Sequence, residues 1–175
     1  SMLINELGEF GVIDLLKRMV IQQRSDCVNA TALSFNLIVD NGDDTAAWTA
    51  GRGQTLFTTD TMGEGVHFTR ETISWQDLGW KSLASNISDV ASMGGLPAYA
   101  LLTLGLPVDT EISDLTSLYE GMLEISNKYG MAIVGGDMVR SPVEFITVAL
   151  TGIMQGQPMT RTGALPGDLV AVTGY

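Results

Sequence analysis

The sequence predicts an α/β or α+β domain in two layers, with helices packed on one face of a mixed sheet. Apolar runs of strand length alternate with amphipathic runs of about 15–20 residues, the pattern of helices that cover a sheet. Hydrophobic residues make up 45% of the chain and charged residues 17%, as in globular proteins. The 175 residues are enough for one core but short for two.

The first elements are a helix and two strands. A helix is predicted over 8–21, because apolar residues recur there every three or four positions. The segment 22–34 is polar and irregular. Strands are predicted over 35–40 and 55–60, where runs of apolar residues that favour strands end in acidic turns.

Two longer helices and further strands follow. The helix predicted over 75–93 keeps its apolar residues on one face and stops at Gly94 and Gly95. The helix predicted over 109–130 is amphipathic and follows a strand over 98–107. The remaining predictions are strands over 131–134, 144–154 and 169–174, with a loop over 161–168.

The last predicted strand follows a Pro-Gly turn and ends with the chain. A strand in that position looks like the beginning of a further unit; the alternative is a true terminus tucked into the sheet. We therefore expect residues 1–160 to form an N-terminal domain, and 161–175 to be a linker and the first strand of a C-terminal domain that is cut short.

Charge and cysteine content exclude some partners and favour one compartment. Nine basic residues against twenty acidic ones give a net charge of −11, which argues against nucleic-acid binding. No apolar run approaches the roughly 20 residues that span a bilayer, and we see no signal peptide. Cys27 is the single cysteine, so no internal disulfide forms and the cytoplasm is the expected location.

Acidic residues recur where predicted strands and a helix end. The clusters Asp43–Asp44, Asp60 and Asp137 follow strands, and Asp89 lies near the end of a helix. If these ends share one rim of the sheet, their carboxylates converge, and like charges so close need a cation. Hard oxygen ligands beside the hydroxyls of Thr58–Thr59 suit Mg²⁺. Ordinary turn chemistry is the alternative for each aspartate taken singly.

His67 is the only histidine and lies in a loop after these threonines. Its ring is a possible ligand contact near neutral pH. Its apolar neighbours leave open the alternative of a packed residue without a functional role. The chain has no G-x-x-x-x-G-K-[ST] loop and no kinase-type H-R-D, so the commoner phosphate-binding motifs are absent.

Several motifs together resemble the thiamine-monophosphate kinase family, a branch of the larger family typified by aminoimidazole ribonucleotide synthetase. They occur in the order of that family and cover nearly the whole chain except 22–34. The matching segments are GEFG at 8–11, GDDTA at 42–46, TTDTMGEGVHF at 58–68, GWKSLASNISDVASMGGLP at 79–97, LYEGMLEISNKYG at 118–130, VGGDMVRSP at 134–142 and MTRTGALPGDLVAVTG at 159–174.

The resemblance implies a specific set of site residues. It implies Mg²⁺ ions on Asp44, Thr58, Thr59, Asp60, Asp89 and Asp137. It implies nucleotide contacts from Gly136, Asp137, Arg161 and Tyr119, and a contact between the substrate and His67. No residue is assigned as a general base, because the phosphate acceptor is already a competent nucleophile.

The resemblance also implies an activity and an assembly. The activity is transfer of the γ-phosphoryl group of ATP to thiamine monophosphate. The N-terminal domain would bind ATP and Mg²⁺ and pair its sheet with that of a second copy, giving a homodimer. Two alternatives stay open: another ATP-dependent synthetase of the larger family, and a module that dimerises and binds nucleotide without catalysis.

Overall fold

Four helices and six strands make up the part of the chain that the computed structural model describes, residues 2–26, 37–40, 45–49, 51 and 53–172. In chain order they are α1 (Ile4–Leu7), α2 (Glu9–Asp26), β1 (Leu37–Val39), β2 (Ala47–Trp48), β3 (Thr55–Gly63), α3 (Trp75–Ser92), β4 (Gly95–Leu106), α4 (Ile112–Tyr129), β5 (Ala132–Arg140) and β6 (Phe145–Met154).

The main sheet has four strands in the order β3-β6-β4-β5. Strand β6 runs antiparallel to both of its neighbours, and β4 is parallel to β5. Strands β3, β4 and β5 therefore point the same way, and the sheet is mixed, as predicted. Strands β1 and β2 form a separate antiparallel pair.

The helices cover one face of this sheet. Ile146, Val148 and Leu150 of β6 are buried against them, together with apolar residues of α3 and α4. The opposite face is open: Phe57 is 72% exposed and Leu101 is 45% exposed. One covered face and one open face confirm the two-layer architecture.

Helices α3 and α4 cross at two glycines. A Cβ atom at Gly79 would overlap the backbone oxygen of Leu118, and one at Gly121 would overlap the backbone oxygen of Gln76. The two backbones approach this closely because neither contact position carries a side chain. The close crossing fixes α3 against α4, and α3 carries Asp89.

Two strands are longer than the sequence predicts, and this corrects the prediction that Asp60 and Asp137 lie in turns. Strand β3 continues through Asp60 to Gly63, and β5 continues through Asp137 to Arg140. The reason is tertiary. Strand β6 pairs with β3 up to Gly63, so ladder hydrogen bonds carry a polar stretch that local patterns assign to a turn.

The strand predicted over 169–174 is wrong for residues 169–172, which form no strand and are almost fully exposed. These apolar residues have no partner strand among the described residues. The turn predicted at Asp43–Asp44 lies outside the described residues. None of the described helices is long and apolar enough to cross a membrane.

Candidate active site

Thr58 and Asp89 meet in a corner between β3 and α3. The Thr58 hydroxyl donates a hydrogen bond of 2.9 Å to Oδ2 of Asp89. Asp89 lies in the last turn of α3, where the helix dipole disfavours a negative charge, so its carboxylate gains from a donor. Thr58 and Asp60 are two residues apart on β3, so side-chain alternation places them on the same, helix-covered face.

Asp137 lies on the other face of the sheet. Its register partners across the four strands are Thr103, Thr147 and Thr61. The hydroxyl oxygens of Thr61 and Thr147 are 2.9 Å apart, so this row joins polar side chains across the open face. Asp137 is exposed, and its Oδ1 accepts a hydrogen bond of 2.9 Å from the backbone of Met138.

The candidate ligands Thr58, Asp60, Asp89 and Asp137 therefore fall into two groups. Thr58, Asp60 and Asp89 lie at the β3 edge on the helix side, while Asp137 lies on β5 at the opposite edge. Three strand spacings, about 14 Å, separate those edges. No three histidine, cysteine or acidic side chains among the described residues stand close enough to hold a metal ion. The sequence predicted that these carboxylates lie together on one rim of the sheet, but the described part of one chain does not bring them together. Asp44 lies outside the described residues.

His67 is exposed, so the alternative of a packed histidine is wrong. Its Nδ1 accepts a hydrogen bond of 3.1 Å from the backbone N–H of Gly63. Its carbonyl oxygen accepts one of 2.8 Å from Nζ of Lys81. In the neutral ring the remaining proton then lies on Nε2, and the imidazole presents a donor to solvent.

The residues predicted to contact the nucleotide are dispersed. Tyr119 is only 8% exposed, and burial raises the pKa of its phenol, so it is a packed, neutral residue of the helix layer. At Gly136 a Cβ atom would overlap the backbone oxygen of Leu102, so strand packing alone requires a glycine there. Arg161 is exposed, two residues beyond Met159, whose N–H bonds the carbonyl of Met93 at the end of α3.

An ion pair lies at the end of the loop that carries His67, and the sequence did not point to it. Arg70 Nε stands 3.5 Å from Oε2 of Glu144, whose side chain is 12% exposed. Burial raises the pKa of Glu144 to about 7, although the Arg70 charge lowers it. The two residues are far apart in the sequence, and no local pattern joins them.

The chain matches one family and several kinases. The family model for the AIR synthase related protein, N-terminal domain, matches residues 42–154. Thiamine-monophosphate kinase of Bacillus subtilis (strain 168) is 43% identical over 136 residues, covering 76% of this chain and 42% of that protein. The chain spans about half the length of the curated relatives it matches.

Solved structures of thiamine monophosphate kinases are also similar to this chain. The crystal structure of thiamine monophosphate kinase from Aquifex aeolicus superposes with a TM-score of 0.62 at 35% identity, covering 94% of this chain and 48% of that one. A structure of AaThiL complexed with AMPPCP and TMP superposes with a TM-score of 0.57 at 34% identity, covering 87% and 44%.

Proposed function

Because this chain belongs to the AIR synthase related protein, N-terminal domain, family, we propose that it is the nucleotide- and metal-binding half of a thiamine-monophosphate kinase. The reaction transfers the γ-phosphoryl group of ATP to thiamine monophosphate, giving thiamine diphosphate and ADP. The observation that carries this proposal is the 43% identity to the Bacillus subtilis kinase over 136 residues. The complex of AaThiL with AMPPCP, an ATP analogue, and TMP supports the same pair of substrates.

The chemistry of the acceptor explains why no general base is assigned. A phosphate monoester has a second pKa near 6, so at neutral pH its oxygen is already anionic and nucleophilic. The barrier then lies in bringing two anions into line, and phosphoryl transfer depends mainly on positioning and charge neutralisation. Positioning side chains are therefore what this half of the enzyme must supply.

His67 is proposed to bind the acceptor phosphate. Its Nδ1 is engaged by Gly63, which leaves the exposed Nε2–H as the donor toward an anionic oxygen. Lys81 holds the backbone of the same residue. These two contacts orient the ring before any ligand arrives.

The residue types fit Mg²⁺, because carboxylate and hydroxyl oxygens are its preferred ligands. We propose that the ligands are those implied by the resemblance. Bound Mg²⁺ would neutralise the phosphate oxygens that must approach one another. Thr58 and Asp89 already place two oxygen atoms 2.9 Å apart at the β3–α3 corner. The proposed set is Asp44, Thr58, Thr59, Asp60, Asp89 and Asp137.

We propose nucleotide contacts from Gly136, Asp137, Arg161 and Tyr119. Gly136 and Asp137 lie together on β5, and Arg161 is an exposed cation suited to a phosphate. Tyr119 rests on the resemblance alone, since its ring is packed in the helix layer.

A homodimer would unite the two groups of candidate ligands. Strands β3 and β5 are the edges of the described sheet, and exposed edges pair readily with another chain. If the β5 edge of one copy meets the β3 edge of a second, Asp137 comes beside the strand that carries Thr59 and Asp60. We propose that each active site forms at this junction. The open face, with its exposed Phe57, would be covered in the same assembly.

We propose that the protein acts on small molecules in the cytoplasm. The substrates are small phosphates, and the net charge of −11 makes nucleic acid an unsuitable partner. A single cysteine is consistent with the reducing cytoplasm that we propose as the location.

A product assay tests the function. The full-length protein that carries this chain is incubated with ATP, Mg²⁺ and either thiamine monophosphate or aminoimidazole precursors, and ³¹P NMR follows the products. We expect ³¹P signals of thiamine diphosphate in addition to those of ADP when thiamine monophosphate is the acceptor, and neither product after chelation with EDTA. Phosphate release with an aminoimidazole precursor would support the synthetase alternative. A dimer that binds an ATP analogue but forms no product would support the non-catalytic module.

A further inference from the structure

The loop of residues 63–70, here called the His67 loop, ends at a fully engaged arginine. Arg70 Nη1 donates a hydrogen bond of 2.9 Å to the carbonyl of Ile73. The guanidinium lies 3.9 Å from the centre of the Trp75 ring, and that ring is buried. Such stacking over a buried indole gives Arg70 one defined orientation, so the end of the loop has a fixed anchor.

Glu144 touches both ends of the same loop. Its carbonyl oxygen accepts a hydrogen bond of 2.9 Å from the N–H of Glu64, at the beginning of the loop. Its Oε2 faces Arg70, at the end of the loop, at 3.5 Å. That oxygen is buried and has no hydrogen-bond partner among the described residues, so the ion pair with Arg70 is its main compensation.

We propose that Arg70 and Glu144 are positioning residues that hold the His67 loop in the conformation that presents the imidazole to the phosphate acceptor. Neither residue touches the reacting atoms in this account. They act through His67, whose own contacts with Gly63 and Lys81 place the ring but do not fix the far end of the loop. The predicted effect on kinetics rests on the proposed function. The structural part of the inference concerns only the conformation of the His67 loop.

The pair gives acceptor binding a dependence on pH. Burial raises the pKa of Glu144 to about 7, against the opposing charge of Arg70, and the carboxylates of Glu64 and Asp114 raise it further. Below that pKa Glu144 is neutral and the ion pair is lost. The loop then holds His67 less firmly, so KM for the acceptor should rise as the pH falls through about 7.

His67 itself supplies a reporter that needs no activity. It is the only histidine of this chain, so one imidazole Cε1–H resonance in the NMR spectrum comes from the loop. We expect Arg70→Met and Glu144→Gln to shift or broaden that resonance at pH 8. Glu124→Gln, which removes an exposed carboxylate on α4, is the control and should leave it unchanged. An unchanged resonance in both loop variants overturns the proposal.

Kinetics in the full-length protein give the second arm. Arg70→Met should raise KM for the acceptor roughly tenfold, equivalent to about 1.4 kcal/mol, with kcat and KM for ATP nearly unchanged. Arg70→Lys, which keeps the charge, should restore part of the loss. The double variant Arg70→Met/Glu144→Gln should raise KM for the acceptor no more than the worse single variant does, because each single change already removes the same ion pair. Additive losses overturn the pairing.

The pH profile separates positioning from simple structural support. The ratio of KM for the acceptor in Glu144→Gln to that in wild type cancels the titration of the acceptor itself. We expect the ratio to fall toward 1 as the pH drops from 8 to 6, and a ratio independent of pH overturns the proposal. Should wild type lack kinase activity while the NMR shifts occur, the loop inference stands and the proposed function fails.

Discussion

At the scale of single residues, environment separates aspartates that look alike in the sequence. The Asp89 carboxylate accepts a hydrogen bond from the Thr58 hydroxyl on a neighbouring element. The Asp137 carboxylate, in the described structure, accepts one only from the backbone N–H of the next residue, Met138. Asp60 is exposed beside the first pair. None of the three carboxylates is needed by the apolar core, so each can be altered to test function without removing packing.

Replacing Asp60 by asparagine should abolish most turnover while leaving the fold intact. The change removes a negative charge proposed to hold Mg²⁺, and the exposed side chain contributes little to packing. We expect kcat of the full-length protein to fall roughly 10²-fold or more, with an unchanged thermal midpoint. Asp109→Asn, an exposed aspartate after β4, is the control. Near-normal turnover in Asp60→Asn would reject its role as a ligand.

Replacing His67 by alanine should weaken acceptor binding more than it slows the chemical step. The exposed Nε2–H is lost, and with it a hydrogen bond to an anionic oxygen. Steady-state kinetics should show a higher KM for thiamine monophosphate and little change in KM for ATP. Val66→Ala alters the adjacent exposed residue and serves as the control. An unaltered acceptor KM would remove His67 from the site.

Glu144 should make the free energy of unfolding depend on pH. Its pKa in the folded protein, about 7, lies above the ordinary value of 4.5, chiefly because of burial. The folded state therefore binds more protons between these values, and this residue's contribution to stability falls as the pH rises through that window. Between pH 5 and pH 8 the denaturant midpoint should fall less in Glu144→Gln than in wild type. An equal loss would contradict the assignment.

At the scale of elements, the crossing of α3 and α4 sets the position of Asp89. The glycines at this crossing admit close backbone contact, and Ser74 caps the start of α3 by accepting the N–H of Asp77 at 3.0 Å. A shift of α3 would separate Asp89 from Thr58, which belongs to the sheet. The geometry of the site thus depends on contacts made far from it.

Replacing Gly121 by alanine should destabilise the fold. Its Cβ atom would overlap the backbone oxygen of Gln76, so the two helices must move apart. We expect a loss of about 3 kcal/mol in the free energy of unfolding, measured by denaturant titration. Gly63→Ala is the matched control, because a Cβ atom there meets no atom within 4 Å. Equal stability of the two variants would contradict the close crossing.

The sequence predicted helices better than it predicted strand ends. Helices predicted over 75–93 and 109–130 are observed as Trp75–Ser92 and Ile112–Tyr129, because their apolar period of 3.6 is long and uninterrupted. Strands β3 and β5 extend beyond the ends predicted at 60 and 134, since the aspartates and glycines near those positions are typical of turns. The two-residue strand β2 is too short to give any period.

At the scale of the whole molecule, local patterns could nominate site residues but could not say which of them share a face. The family motifs supplied Thr58, Asp60 and Asp89, which the fold brings to one corner. They also supplied Asp137, which register places across the sheet on the other face. The order of strands and their register arise from pairing between distant segments, and no single motif contains that information.

The proposed homodimer follows from that separation. Two groups of proposed ligands, which lie on opposite edges of one sheet, can serve one nucleotide if a second copy brings its own edge alongside. The open face, with Phe57 and Leu101 exposed, is consistent with burial in such a pair. We therefore propose that each active site combines Asp60 of one copy with Asp137 of the other.

Subunit complementation distinguishes a site shared between two subunits from a site within one subunit. Full-length Asp60→Asn and Asp137→Asn are purified separately, assayed for thiamine diphosphate formation, and then unfolded and refolded together. In a shared site, half of the random dimers contain one wholly wild-type site, so the mixture should recover roughly a quarter of wild-type activity. If both aspartates serve within one subunit, no site is intact in any dimer. A mixture that stays as inactive as its parents would contradict the account.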